Sequence, residues 1–210
     1  MKMRPKRALY LIFLSILPFD YLNATCANAS EYDYPWALFF YVGKMTQNTL
    51  GSVLIQDYQF DDETLYSLEL SRELSPCNAF RHFVQPIVST VEVVANVTYR
   101  DDPVGPIYEF NPYFTFRWKE FPWNPIITTT IALGEGLSYD SQVPQVEIKN
   151  SDETQRLLNF LMVEATFAMP THPRWELVWR AHHRSGVFGL YNSGNTGSTA
   201  VGLGVRYHFN

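Results

Sequence analysis

The fold of this chain is decided by its closing stretch, Val201-Gly202-Leu203-Gly204-Val205-Arg206-Tyr207-His208-Phe209. Every odd position in this stretch is apolar or aromatic, and every even position is glycine or basic. Because successive residues of a β-strand point to opposite faces, one face of this strand suits hydrocarbon and the other suits a polar interior. The stretch therefore predicts a strand that separates two unlike environments.

The segment before it repeats this alternation. Its apolar face is made by Trp175, Leu177, Trp179 and Ala181, and its more polar face by Glu176, Val178, Arg180 and His182. The alternation continues through His183-Arg184-Ser185, which places His183 and Ser185 on the apolar face. Residues Arg174 to Phe209 are therefore predicted to form a two-stranded hairpin.

Residues 1–29 are interpreted as a cleaved signal peptide. They begin with the basic residues Lys2, Arg4, Lys6 and Arg7 and continue with an apolar segment from Ala8 to Phe19. Ala27-Asn28-Ala29 matches the small-x-small pattern of a cleavage site. The apolar segment is shorter than the roughly 20 residues that span a bilayer, so an N-terminal anchor is the less favoured alternative. The mature domain is expected to be residues 30–210.

The charge of the chain excludes one class of partner. The formal net charge is −5, and removal of residues 1–29 leaves 12 Lys and Arg against 20 Asp and Glu, a net charge of −8. An acidic chain without a run of basic residues argues against nucleic-acid binding.

Eight segments of the mature chain are long enough to cross a membrane as tilted strands, which takes about 9–11 residues. They are Trp36–Lys44, Glu63–Leu74, Phe83–Tyr99, Ile107–Lys119, Pro125–Leu137, Leu157–Met169 and the two strands of the C-terminal hairpin. An even number of strands, joined mainly by short connections on one side and long ones on the other, is typical of bacterial outer-membrane barrels. We therefore predict an all-β fold, an eight-stranded antiparallel up-and-down transmembrane β-barrel. It would lie in the outer membrane of a Gram-negative cell, with both termini in the periplasm.

The polar strand faces predict what fills this barrel. They carry both acids and arginines, namely Glu69, Glu92, Glu109, Glu164, Glu176, Arg117, Arg180 and Arg206. An eight-stranded barrel is just wide enough for side chains to fill it, so a paired ionic core is expected rather than a pore. The alternative architecture is a soluble lipid-carrying barrel, in which the apolar faces would point inward.

His183 and Ser185 are candidate catalytic residues. They lie two positions apart on one face, so their Cα atoms are about 6.6 Å apart and the imidazole can reach the hydroxyl. A histidine that takes the proton of a serine hydroxyl can drive nucleophilic acyl transfer. At the outer end of a lipid-facing strand, the substrate would be an acyl ester of lipopolysaccharide. The alternative is a polar pair that merely lies in the hydrated headgroup zone.

The C-terminal hairpin resembles a known family. Arg174-Trp175-Glu176-Leu177, Arg180-Ala181-His182-His183-Arg184-Ser185-Gly186, Gly197 and the closing stretch Val201–Phe209 look like the lipid A 3-O-deacylase (PagL) family and its acyloxyacyl-hydrolase-like relatives. The resemblance implies an outer-membrane barrel that removes the ester-linked 3-position acyl chain of lipid A without a metal or cofactor. It makes Ser185 the nucleophile and His183 the general base.

The chain departs from the family pattern at two positions. A glutamate is expected at the start of the last strand, where the residue of matching parity is Thr199, and the asparagine expected after the serine is Gly186. Gly186, Asn192 and Thr199 are therefore the candidate oxyanion or orienting residues. Acids of the third outer loop could reach the site only if that loop folds over the hairpin; these are Asp140, Glu147, Asp152 and Glu153.

Three functions remain open on the sequence alone. The leading hypothesis is a lipid A deacylase-like esterase that acts on lipopolysaccharide in the outer leaflet, as a monomer or a homodimer. The competing hypothesis is a non-catalytic outer-membrane barrel, structural or adhesive, that has lost the family's acid. A soluble lipid-carrying barrel is the third. No metal site is expected, because the adjacent His182 and His183 would point to opposite faces of one strand.

Overall fold

The alternating segments pair into one closed barrel. A computed structural model describes residues 34–150, 153–187, 191, 193 and 196–210. Each strand pairs antiparallel with the next, and the last pairs with the first, which confirms the predicted fold. The strands are β1 Trp36–Thr46, β2 Phe60–Glu73, β3 Thr90–Asp101, β4 Ile107–Trp118, β5 Thr128–Asp140, β6 Leu157–Ala168, β7 Trp175–Ser185 and β8 Gly197–Phe209. Three short helices lie in the described connections, α1 Leu50–Leu54, α2 Ala79–Val84 and α3 Gln145–Asn150.

The two ends of the barrel differ. β1 starts and β8 ends at one end, which we call the terminal end, and the opposite end is the loop end. The segments 47–59, 102–106, 141–156 and 186–196 connect strands at the loop end. None of the helices in the described ranges is long and apolar enough to cross a membrane.

The barrel is apolar outside and polar inside. Large apolar side chains along the strands are exposed, among them Leu38, Phe40, Leu68, Phe110, Leu133, Leu203 and Val205. The opposite faces of the same strands bury charged groups, including Arg180 and Arg206. This polarity is the reverse of that in a soluble lipid-carrying barrel, and it is the one that a membrane requires.

Ion pairs fill the interior at the terminal end, as the sequence predicts. Glu164 is completely buried and contacts three arginines, with shortest distances of 2.9 Å to Arg117, 2.6 Å to Arg180 and 2.7 Å to Arg206. Glu69 accepts a further bond from Arg180 at 2.6 Å. Because these groups satisfy one another, the charges can lie in a water-poor interior.

The predicted third strand is wrong at its start. β3 begins at Thr90 rather than Phe83, because Phe83 and Val84 end the helix α2 and a turn and a bend follow over residues 85–89. Asn78 caps this helix, and its side-chain oxygen accepts from the backbone N–H groups of Phe80 and Arg81. An asparagine N-cap is a recognised helix start, but the run of apolar residues after it conceals the change from helix to strand.

Candidate functional site

His183 and Ser185 lie at the loop end of β7 and face outward. Both are half-buried, whereas His182 and Arg184 point inward and are at most 2% exposed. This is the arrangement that strand alternation predicts. Across the sheet, His183 pairs with Thr199 of β8.

Thr199 holds the imidazole of His183. The Nδ1 atom of His183 lies 2.9 Å from Oγ1 of Thr199, and Thr199 is only 2% exposed. When Nδ1–H donates to this hydroxyl, Nε2 is the unprotonated nitrogen that can accept a proton. Thr199 therefore stands where the resemblance implies a glutamate. It orients the ring without supplying a negative charge.

The Ser185 hydroxyl points toward the following loop. Its Oγ accepts a hydrogen bond from the backbone N–H of Val187 at 3.1 Å. Among the hydrogen bonds of the described residues, none joins Ser185 to His183, so contact between them requires a rotation of the serine side chain. Val187 has a positive φ of 46°, which is rare for a β-branched residue. Such backbone strain is concentrated at functional sites.

The backbone donor next to the serine is already engaged. The N–H of Gly186 donates to the carbonyl of Thr196 at 2.9 Å, so in this conformation Gly186 offers no donor to an oxyanion. Asn192, the other predicted candidate, lies outside the described residues.

A cavity of about 530 Å³ adjoins the pair. It is lined by Gln47, Asn48, Thr49, Leu50, Gly51, His183, Ser185, Thr196, Gly197 and Thr199. One wall is the first loop, whose helix α1 rests on the outer surface of β7 and β8. Val53 of α1 is completely buried against Ala181 and Val201. The sequence did not predict this wall, because five residues are too few to show helical periodicity.

Two of the acids predicted as possible partners of His183, Glu147 and Asp140, lie on the other side of the sheet. Glu147 of α3 does meet the hairpin, since Ser198 donates to its carboxylate at 2.8 Å. Ser198 faces the barrel interior, however, so this contact lies on the side of the sheet opposite to His183. Asp140 likewise pairs with Arg184 inside the barrel. Asp152 lies outside the described residues.

His182 points inward, away from His183, and its Nε2 lies 2.7 Å from Oε1 of Glu109. Within the described ranges, no group of three or more histidine, cysteine, aspartate or glutamate side chains could hold a metal ion.

Sequence reasoning missed an outward polar cluster on the other side of Ser185. It consists of Glu135 on β5, Asn159 on β6 and Tyr191 between β7 and β8. The sequence could have revealed it, because strand alternation places Glu135 on the same outward, lipid-facing side of β5 as Ile131 and Leu133. We refer to these three residues as the polar cluster.

Comparison with known proteins shows the fold. No protein-family model and no curated protein matches the chain. Among solved structures it is similar to the outer membrane enzyme PagL, with 17% identity, a TM-score of 0.51 and coverage of 81% of this chain and 98% of that one. It also matches Neisserial surface protein A with 9% identity, a TM-score of 0.47 and coverage of 83% and 96%. Ail of Yersinia pestis matches with 13% identity, a TM-score of 0.39 and coverage of 84% and 99%. The likeness to PagL shows the closed eight-stranded barrel that this chain forms.

Proposed function

We propose that this protein is an outer-membrane esterase of the lipid A deacylase type, with Ser185 as nucleophile and His183 as general base. The observation that carries the proposal is the outward-facing imidazole of His183, whose Nδ1 lies 2.9 Å from Oγ1 of Thr199. His183 and Ser185 both line the cavity of about 530 Å³. A histidine and a serine on a lipid-facing wall have no role in the ionic core. Their position suits a substrate that arrives through the membrane.

The chemistry is an ordinary acyl transfer. Ser185 Oγ attacks the ester carbonyl carbon while Nε2 of His183 takes the hydroxyl proton, and the carbonyl electrons move onto oxygen. The intermediate collapses, the ester bond breaks, and the departing alkoxide takes the proton from His183. A water molecule, activated by His183, then releases the fatty acid from Ser185. One ester and one water become one alcohol and one carboxylic acid.

The location selects the substrate class. With the terminal end in the periplasm, the loop end and the candidate pair lie in the outer leaflet, where lipopolysaccharide supplies acyl esters. The apolar band of exposed strand residues would hold the barrel there. The expected partner is therefore lipid A.

The test is expression in an outer-membrane host, followed by mass spectrometry of lipid A. Cells with the wild type should lose one ester-linked acyl chain, and cells with Ser185→Ala or His183→Ala should retain it. Ser141→Ala is the matched control, because this loop-end serine accepts from Tyr108 on another part of the rim. Heat-modifiable migration checks that each variant folds. Identical spectra from the wild type and Ser185→Ala would refute the esterase.

One observation favours the competing, non-catalytic barrel. The Ser185 hydroxyl is bonded to Val187, and the Gly186 N–H is bonded to Thr196, so the resting site is not set for attack. This hypothesis predicts unchanged lipid A in every strain. The same mass spectra therefore discriminate the two functions.

A further inference from the structure

Glu135 is a carboxylate on the lipid-facing wall at half the height of the barrel. A row of directly paired residues can be followed once around the barrel from strand to strand. Because the strands are tilted, the row starts at Trp36, at one end of β1, and returns to β1 at its other end, at Thr46. The row is Trp36, Arg72, Val93, Phe114, Glu135, Leu161, His183, Thr199 and Thr46. Glu135 is its midpoint, and its side chain is exposed on the outer surface.

A charged side chain at this height on the lipid face lowers the stability of the barrel, so its presence there indicates a function. Charged groups on the lipid face destabilise a barrel most at the bilayer midplane and little near the interfaces. All eight strands lie within the described residues. Their other outward-facing charged side chains are close to strand ends; these are Lys44, Asp62, Arg72 and Asp101. Ionisable groups inside the membrane region mark functional sites by default.

Asn159 links Glu135 to the candidate nucleophile. It faces outward on β6 and is the direct cross-strand partner of Ser185. Its side chain interacts with the carboxylate of Glu135, and its Oδ1 lies 3.5 Å from the Tyr191 hydroxyl. Residues paired in this way have Cβ atoms about 5 Å apart. The amide is therefore close to any carbonyl that is bonded to Ser185 Oγ.

The two contacts orient the amide. Oδ1 can only accept, so the Tyr191 hydroxyl donates to it, and the ionised carboxylate of Glu135 can only accept from Nδ2–H. The two contacts together therefore set the direction in which the Asn159 amide points. Nδ2 carries two N–H groups, so one remains for a ligand beside the one that the Glu135 carboxylate accepts. The Phe160 carbonyl lies 3.5 Å from Nδ2, as far as the Tyr191 hydroxyl lies from Oδ1.

We propose that Asn159 is the oxyanion donor of the site, with Glu135 and Tyr191 as the residues that position its amide. The inference rests on the proposed esterase function and supplies what that function lacks, because the Gly186 N–H is occupied. As Ser185 attacks, the negative charge that develops on the ester oxygen accepts from Nδ2–H of Asn159. This role would explain why Glu135 faces lipid, since it contacts the side-chain amide of Asn159 from that side.

The test measures single-turnover and steady-state hydrolysis of a purified ester lipid by the detergent-solubilised, folded barrel. Asn159→Ala should lower kcat by about 10²-fold with little change in KM, since oxyanion donors act in the transition state. Glu135→Leu should lower kcat by roughly tenfold. Glu135→Gln, whose amide oxygen can still accept from Asn159, should recover most of the loss.

The thermal midpoint of unfolding separates the proposed role from a purely structural one, in which the midpoint would fall together with kcat. Glu135→Leu removes a charge from the lipid face, so the thermal midpoint of unfolding should rise while kcat falls. Asp101→Leu is the matched control, because Asp101 is an outward acid at the loop end of β3, and its loss should leave kcat unchanged. Wild-type activity that depends on Ser185 but is untouched in Asn159→Ala refutes this inference alone. Absence of Ser185-dependent activity refutes the proposed function and the inference with it.

Discussion

Thr199 determines how much catalysis the site can supply. Its hydroxyl lies 2.9 Å from Nδ1 of His183 and orients the ring, and when Nδ1–H donates to it, Nε2 is the nitrogen that can accept a proton. A carboxylate in that place would also stabilise the imidazolium that forms as the proton is taken from serine. A threonine gives the first effect without the second. A slower enzyme than one with an acidic triad member is therefore expected.

Substitution of Thr199 separates these two effects. Thr199→Val is nearly isosteric but removes the hydrogen bond, and we expect the rate of ester hydrolysis to fall by roughly tenfold or more. Thr199→Glu supplies the missing carboxylate, and the adjoining cavity has room for it, so the rate should rise by roughly tenfold. Single-turnover release of fatty acid is the measurement. An unchanged rate in both variants would mean that Thr199 does not act on His183.

At the scale of elements, β-strands were predictable and helices were not. Alternation over nine or more residues located the strands and the outward position of Ser185, although it placed the start of β3 seven residues too early. The helices α1 and α3 have five and six residues, less than two helical turns, and leave no such signature. The wall of the cavity and the position of Glu147 therefore depend on tertiary packing. Glu135 and Asn159 are visible in the strand parity, but their contact depends on register.

The helix α3 acts as a plug in the loop end of the barrel. Its Val146 packs in a core cluster with Phe39 and Val178, and its Glu147 is completely buried. The Glu147 carboxylate accepts from Ser198 at 2.8 Å and from Thr154 at 3.1 Å. Arg184 lies 3.5 Å and Arg100 3.9 Å away. Glu147 thus ties the loop between β5 and β6 to β8, next to Thr199.

Docking of this plug should depend on pH. Burial raises the pKa of Glu147 to about 7, although Arg100 and the bonds from Ser198 and Thr154 act in the opposite direction. Because the docked loop holds a proton that an undocked loop would release, docking weakens as the pH rises from about 4.5 to 7. Glu147→Gln, which cannot ionise, should abolish this dependence.

Hydrogen–deuterium exchange of the α3 amides, corrected for the intrinsic effect of pH, measures the docking. Wild-type protection should be greater at pH 5.5 than at pH 8, and Glu147→Gln should give equal protection at both. Glu153→Gln, in the same loop but exposed, is the control and should behave as the wild type. Wild-type protection that does not change between the two pH values would contradict the assignment.

On the scale of the whole molecule, two charged layers fill the barrel. The layer at the loop end includes Arg100, which contacts Glu63 at 2.6 Å, and His182, which contacts Glu109. Aromatic side chains separate it from the layer around Glu164. Tyr113 donates to Glu69 of that layer at 2.6 Å, and Phe160 packs edge-on against His182 of the other. Side chains thus occupy the interior along its length, which favours a structural core over a channel.

Glu164 should therefore be the residue on which the stability of the barrel most depends. Glu164→Gln keeps the shape of the side chain but leaves three buried arginines with one carboxylate fewer. Breaking a buried ion pair from one side typically costs about 3–5 kcal/mol, because an uncompensated charge remains. We expect a clear fall in the temperature at which the folded band converts to the unfolded one in heat-modifiable electrophoresis. Glu120→Gln, an exposed acid in a connection at the terminal end, should leave that temperature unchanged. Equal midpoints for the two variants would contradict this role of Glu164 and would mean that Glu69, Glu92 and Glu176 suffice to pair the three arginines.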